Sequence, residues 1–335
     1  MKAIILKEYG SINNFESADI PIPLVKKGHI RIRIKAVSFN PVDYQIRKGL
    51  PESRQVTSSI LGRDFSGIVD EVHQDEREFK KGDEVFCYVS NLASSGTYTE
   101  YICVPSTIVA KKPVFLSHEQ AASIPVAGIT AILAIEKAKK NKSRSFFIAG
   151  GAGGVETFVI MFAKLSGFRN IVATVGDDKS RSYLMQQLQL KEEQIINYRD
   201  SDFVKSAIEV NGEYFDVALD LVGGKMLSAC CELLAIDGQL ISVVDVPGKE
   251  DFEILFQKNA SFHPIGANAY SLSTNPGHWK TYKYILNYIS GLFDSNVLIK
   301  PPITILGSLS VGTVKKAHEL LENNSVQGKL IMTCD

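Results

Sequence analysis

From His29 to Phe39 the chain reads HIRIRIKAVSF, with Ile30, Ile32, Ile34 and Ala36 separated by basic residues. A period of two places those four on one face of a half-buried strand. Further strands are expected at Gly67–Val72, Glu84–Tyr88 and Thr97–Val104, with the turn signal KKGD at 80–83 among them. Roughly the first 110 residues therefore read as mainly β. The pattern changes at SHEQAASIP, 117–125, where Ser117 and Gln120 have the spacing of a capping box. A helical stretch leads from there towards SRSFFIAG, 143–150. Short apolar runs then alternate with helix-length segments. Strands are expected at Ser145–Ala149, Ile171–Val175, Ile195–Asn197, Asp216–Asp220, Gln239–Val244 and Phe262–Gly266. Continuous apolar runs suit strands covered on both faces, and their alternation with helices predicts an α/β doubly wound parallel sheet. Near the C-terminus VLIKPPITI and GKLIMTC read as strands that rejoin the β domain, with a helix over 310–323 between them.

Composition changes this picture little. The 335 residues suggest two domains at roughly 100–200 residues each. Lys plus Arg and Asp plus Glu both number 37, and no basic block stands out, which argues against a nucleic-acid partner. No apolar run of about 18 residues exists, so no membrane span is expected, and MKAIILKEYG is too short in apolar length for a secretory signal. Both observations point to the cytoplasm. Five scattered cysteines without a C-x-x-C pair argue against a disulfide framework and suit buried apolar positions. The six histidines contain no H-x-x-x-H pair, so no metal site is expected.

The candidate chemistry lies in IAGGAGGVETFVIMFAK, 148–164. A strand enters a glycine cluster and a helix leaves near Val155. Glycine suits such a turn because the backbone must bend sharply and approach a pyrophosphate with no Cβ in the way. Free N–H groups and the helix dipole then face the phosphates. The alternative is a tight strand-to-helix turn with no ligand. Glu156 stands where the last glycine of Gly151-x-Gly153-x-x-Gly would fall. An ionised carboxylate about 6 Å from a phosphate would repel it by roughly 0.7–3 kcal/mol, a loss of about three- to a hundredfold in affinity. Attraction to the helix N-terminus offsets part of that.

The end of the next strand carries the second signal. An NAD site usually has Asp or Glu there for the ribose hydroxyls. The position falls near Thr174, which is neutral, and Lys179 and Arg181 follow as partners for a 2′-phosphate. Asp177 and Asp178 weaken that reading, and an ordinary polar loop is the alternative. These residues favour NADPH over NADH.

Several segments together resemble the medium-chain dehydrogenase/reductase superfamily, in its zinc-free quinone oxidoreductase branch. They are FNPVDYQIRKG (39–49), ILGRDFSGIVDEV (60–72), KKGDEVF (80–86), GTYTEYICVP (96–105), AASIPVAGITA (121–131), GGAGGVE (150–156), INYRDSDF (196–203), DVALDLVGG (216–224) and AHELLENNSVQGKLIM (317–332). The resemblance implies a GroES-like catalytic domain over 1–120 and 293–335, and a Rossmann domain over 121–292. It implies an active cleft between them and a homodimer. The catalytic zinc ligands of related alcohol dehydrogenases align with Asn40, Arg63 and Val126, none of which can serve. By the same resemblance Asn40 and Thr130 lie near the nicotinamide. Gly151, Ala152, Gly153, Gly154 and Val155 hold the pyrophosphate, and Lys179 and Tyr198 contact the 2′-phosphate. Val222, Gly223 and Val246 line the cofactor cleft. A turn-forming role for Asn40 and a packed aromatic at Tyr198 are the competing readings.

The expected activity is NADPH-dependent hydride transfer to a quinone or an α,β-unsaturated carbonyl, with positioning and oxyanion donors as the protein's contribution. Tyr44 is a candidate donor, or a half-buried aromatic. Arg63 either stabilises a developing enolate or pairs with Asp43 or Asp64. A tyrosine found in some related reductases after the RKG glycine is absent from RKGLPESRQ, which weakens an enoyl-thioester reductase reading. A non-catalytic NADPH-binding sensor on the same fold remains the alternative, and an alcohol dehydrogenase is a third reading that the ligand positions disfavour.

Overall fold

The computed structural model describes residues 1–138, 145–323 and 326–334. The expected helical stretch between 138 and 145, and positions 324, 325 and 335, lie outside the described residues. The chain begins with strands β1 (Lys2–Leu6), β2 (Phe15–Asp19) and β3 (His29–Ser38) and helix α1 (Pro41–Arg47). Strands β4 (Asp64–Val72), β5 (Glu84–Tyr88), β6 (Tyr101–Pro105) and β7 (Ala110–Lys111) follow, then helices α2 (His118–Ala122) and α3 (Pro125–Ala138). Next come β8 (Ser145–Ala149), α4 (Gly154–Leu165), β9 (Asn170–Val175), α5 (Asp178–Gln186), β10 (Ile195–Asn197) and α6 (Phe203–Asn211). They are followed by β11 (Phe215–Asp220), α7 (Lys225–Leu233), β12 (Leu234–Ser242), α8 (Lys249–Gln257) and β13 (Ser261–Pro264). Helix α9 (Pro276–Asp294), β14 (Ile303–Ser308), α10 (Val311–Glu322) and β15 (Lys329–Thr333) complete the chain.

Two compact units emerge. One comprises Met1–Ile129 with Asn268–Asp335, the other Thr130–Ala267. The boundary thus falls inside α3, and α9 groups with the first unit, whereas the sequence reading placed 121–292 together. In the first unit a seven-stranded sheet runs β14-β15-β3-β4-β5-β7, with β6 also on β3. Ile30, Ile32 and Ile34 are buried, as their alternation requires. Residues 97–100 do not extend β6. Tyr98 donates its N–H to Leu61 O and its carbonyl accepts from Ile4, so this stretch bonds to other partners. Strand β14 starts only at Ile303, because Pro301 and Pro302 have no N–H to give. The Ser117–Gln120 capping box forms.

The second unit is a six-stranded parallel sheet ordered β10-β9-β8-β11-β12-β13. Counted from β8 this is the 3-2-1-4-5-6 order of a doubly wound dinucleotide-binding fold. The order reverses between β8 and β11, so the turns after those two strands flank the switch point. All five residues of β8 are buried, and so is every residue of α4 from Glu156 to Ala163. Full burial of each large apolar side chain stabilises the layer by about 1.5–3 kcal/mol. All five cysteines are buried. No helix among the described residues is long and apolar enough to cross a membrane.

Candidate functional site

The turn after β8 has the geometry a phosphate cradle needs. Gly151 sits at φ +87°, a left-handed conformation that favours glycine. A Cβ at Gly151 or Gly153 would meet nothing within 4 Å, so open space lies against both. Thr174 of β9 pins the turn, accepting Gly150 N–H through Oγ1 at 3.2 Å and Gly151 N–H through its carbonyl at 2.9 Å. Helix α4 starts at Gly154 with Gly153 as its N-cap, and its first N–H groups lack intrahelical acceptors. Gly151, Ala152, Gly153, Gly154 and Val155 are thus brought together at one helix N-terminus. The residues fit a pyrophosphate.

Glu156 corrects the repulsion worked out from sequence. Its side chain is 1 % exposed and neither carboxyl oxygen has a hydrogen-bond partner. It lies under the turn, with Oε2 3.7 Å from where a Gly150 Cβ would stand. Burial pushes its carboxyl well above the ordinary value of 4.5, the Gly153 backbone opposing this without closing a bond. Burial disfavours the ionised form, so a fully charged carboxylate overstates the repulsion in that calculation.

At the ends of β9 and β10 the candidate 2′-phosphate groups are exposed. Lys179 is in the first turn of α5, and Tyr198 follows β10. A Cβ at Gly176 would come within 2.5 Å of Tyr198 Oη, so glycine there lets the tyrosine cross the end of β9. Arg199 places its guanidinium 5.9 Å from the Tyr198 ring centroid, a third cation that sequence reasoning missed. Its position in NYR, directly after the tyrosine, was the available signal. Asp177 is committed elsewhere: its carboxylate caps α5, accepting Ser180 N–H at 2.8 Å and Ser180 Oγ–H at 3.1 Å. Thr174, the neutral residue near the position where an NAD site has an acid, is buried.

After β11, Val222 and Gly223 form a turn held by Asp220, which also escaped the sequence reading. Its Oδ1 accepts N–H from Val222 at 2.9 Å and Gly223 at 2.8 Å, and Oδ2 accepts from Ser242 at 3.0 Å. Gly223 and Gly224 both have positive φ. Val246 follows β12 and is exposed, and Thr130 is buried on α3.

In the first unit, Asn40 closes a buried polar knot. It is 3 % exposed. Its Nδ2 donates to Asp64 Oδ2 at 3.0 Å, and its Oδ1 accepts from the Lys329 ammonium. Lys329 also donates to Phe39 O at 3.2 Å and pairs with Asp64 at 3.6 Å. Asp64 Oδ1 accepts Val126 N–H at 2.9 Å, and Asp43 Oδ2 accepts Asn40 N–H at 2.9 Å. Burial pushes Asp43 up to about 7 and Asp64 up to about 6, while nearby cations pull both back. Asn40 and Val126, two of the three aligned ligand positions, are therefore tied into one network. The third, Arg63, is 6 % exposed and donates Nη1–H to Asn91 Oδ1 at 2.8 Å. The pairing with Asp43 or Asp64 expected from sequence is absent: no carboxylate among the described residues lies within 4 Å of Arg63. Tyr44 on α1 is half-buried, with the Lys48 ammonium 5.7 Å above its ring; no hydrogen bond joins its hydroxyl to Asn40 or Arg63.

Comparison with known proteins follows this geometry. A family model described as "Alcohol dehydrogenase GroES-like domain" matches residues 26–114, and one described as "Zinc-binding dehydrogenase" matches 190–332. A zinc-type alcohol dehydrogenase-like protein of Staphylococcus epidermidis is 25 % identical, over 99 % of both chains. The chloroplastic NADPH-dependent alkenal/one oxidoreductase of Arabidopsis thaliana is 25 % identical, over 99 % of this chain and 79 % of that one. The crystal structure of Escherichia coli quinone oxidoreductase complexed with NADPH superposes with a TM-score of 0.83, at 25 % identity, covering 99 % of this chain and 100 % of that one. The chain belongs to the medium-chain dehydrogenase/reductase superfamily and is an oxidoreductase. The zinc in the second family description does not fit the residues here. An amide, a guanidinium and an isopropyl group occupy the aligned positions, and no three His, Cys, Asp or Glu among the described residues converge on a point.

Proposed function

We propose that the protein is a zinc-independent, NADPH-dependent reductase of quinones or α,β-unsaturated carbonyls. The observation that carries this reading is the chemistry of the three aligned metal-ligand positions, an amide at Asn40, a guanidinium at Arg63 and an isopropyl group at Val126, with the Lys329 ammonium on Asn40. Lys329 is spent on Asn40 and Asp64, and those residues offer no ion the oxygen and nitrogen set it would require. Relatives named as alkenal/one and quinone oxidoreductases, one crystallised with NADPH, support the same direction.

NADPH, when bound, supplies a hydride. The chain's own residues account for the rest. Gly151 to Val155 offer backbone N–H groups and open space to the pyrophosphate, and Lys179, Tyr198 and Arg199 surround the 2′-phosphate position. The Asp220-braced turn at Val222 and Gly223, with Val246, flanks the cofactor. Thr130 and Asn40 serve the nicotinamide end, Asn40 with its second Nδ2–H once the first is given to Asp64. Tyr44 or solvent returns the final proton. A homodimer is part of the proposal and is read by light scattering.

The test is a titration with NADPH and NADH, followed by NADPH oxidation on a panel of quinones and enones and by zinc analysis of the purified protein. Tight NADPH binding with turnover and no stoichiometric zinc is the expected result. Binding without turnover on any acceptor would favour the sensor reading.

A further inference from the structure

We infer that Arg63 is the electrophile of this site: its guanidinium, aimed by Asn91, receives the oxygen of the substrate on which negative charge develops. The inference rests on the reductase reading above and names its oxyanion-binding group.

A guanidinium taken almost wholly out of water normally finds a carboxylate, because burying an unpaired charge is expensive. Arg63 has none within 4 Å among the described residues, although two acids belong to the same cluster. Asp64 has both oxygens committed, one to Val126 N–H and the other to Asn40 and Lys329. Asp43 has one oxygen on Asn40 N–H, and the other has no partner even so. Arg63 therefore keeps its charge unmatched at contact range. Among the described residues only one of its five N–H donors is used, on Asn91. Neither Nε nor Nη2 is a buried atom without a partner, so both keep some contact with solvent.

The backbone that holds this arrangement is itself strained. Val89 N–H bonds to Arg63 O at 2.9 Å, at the end of β5. The next residue, Ser90, is buried and lies at φ 51°, a left-handed conformation that costs a non-glycine residue about 1–2 kcal/mol. Its hydroxyl is fixed on Asn268 Oδ1 at 2.7 Å. Asn91, the residue that accepts from Arg63, follows directly after that kink. Strain held by a specific hydrogen bond is found where a side chain must be aimed.

The chemistry follows. A hydride delivered to the electron-poor carbon of an enone or quinone forms a new C–H bond there. The hydride would come from the C–H bond that breaks as NADPH becomes NADP+; the C=C pair shifts to the adjacent C–C bond, the C=O π bond breaks with its pair going onto the oxygen as an enolate or phenolate, and a proton from solvent then completes the reduction. Arg63 meets that charge with N–H donors already in place, as a metal ion would elsewhere.

Two variants and two readouts test this. Arg63→Gln is expected to lower kcat on an enone by about a hundredfold while leaving NADPH affinity within about twofold. Asn91→Asp keeps the shape but quenches the guanidinium charge, and is expected to lower kcat about tenfold. Binding of 4-nitrophenol, an oxyanion mimic followed by its absorbance, needs no cofactor. The wild type is expected to prefer phenolate over phenol about tenfold more than either variant does. Equal phenolate binding, or none, in all three proteins overturns the inference, as does unchanged kcat in a folded variant. If wild-type protein binds NADPH but reduces no acceptor, the reductase reading falls and the inference with it. Turnover with variants that match the wild type sinks the inference alone.

Discussion

Replacing Glu156 with Gln tests whether a neutral acid really lies beneath the glycine turn. The folded protein holds this proton more tightly than the unfolded chain, whose glutamate titrates near 4.5. The folded state thus binds more protons through the window between the two values. The group's contribution to stability is fully present below about 4.5 and is lost as pH rises towards the folded value. The loss is about 1.4 kcal/mol for each pH unit in that window. Glutamine is isosteric and does not ionise, so the variant lacks this slope. Urea unfolding of both proteins at a series of pH values above 4.5 should show the variant gaining on the wild type as pH rises towards the folded value. Asp43 and Asp64 also titrate higher than usual, but they are common to both proteins and cancel in the difference. The infrared difference spectrum should contain the C=O stretch of a protonated carboxyl. NADPH affinity at pH 7 should agree within about threefold, since a neutral group exerts no full Coulomb repulsion. A stability difference that is flat with pH, or a tenfold gain in NADPH affinity on substitution, refutes the reasoning.

Other outcomes follow from the same geometry. Lys179→Ala and Arg199→Ala should each narrow the NADPH-over-NADH preference about tenfold, by removing a charge-assisted contact to the 2′-phosphate; parallel Kd titrations with both nucleotides read it. Lys329→Met leaves buried Asp64 without its cation and should cost about 3–5 kcal/mol in urea unfolding. Asp177→Ala removes the α5 cap and should cost about 1 kcal/mol, seen as a melting point lower by a few degrees. Gly62→Ala combines φ +97° with a Cβ only 2.2 Å from Thr97 Oγ1, and should lower the yield of folded protein, measured by circular dichroism and melting.

How much of the site was legible varied with how local each cause was. The glycine turn, the capping box and the alternation of β3 are written in neighbouring residues, because backbone bending, helix capping and strand pleat act over a few positions. The missing zinc ligands could be read by aligning single positions. Arg199 and Asp220 carried weaker local signals, a basic residue after Tyr198 and an acid two positions before Val222. Asn91 carried none. Its role depends on the Ser90 kink and on Asn268, which lies far away in the chain.

The chain by itself determined the alternation of strands and helices, the phosphate-binding turn and the loss of metal donors, since periodicity and residue chemistry are local properties. Only the tertiary structure decided whether charges survive. Folding buried Glu156 with no hydrogen-bond partner among the described residues and so pushed its carboxyl upwards. It spent Lys329 and Asn40 on Asp64, and left Arg63 with no carboxylate within 4 Å among the described residues. Protonation and pairing depend on water exclusion and on which distant groups meet, and neither is encoded at any single position.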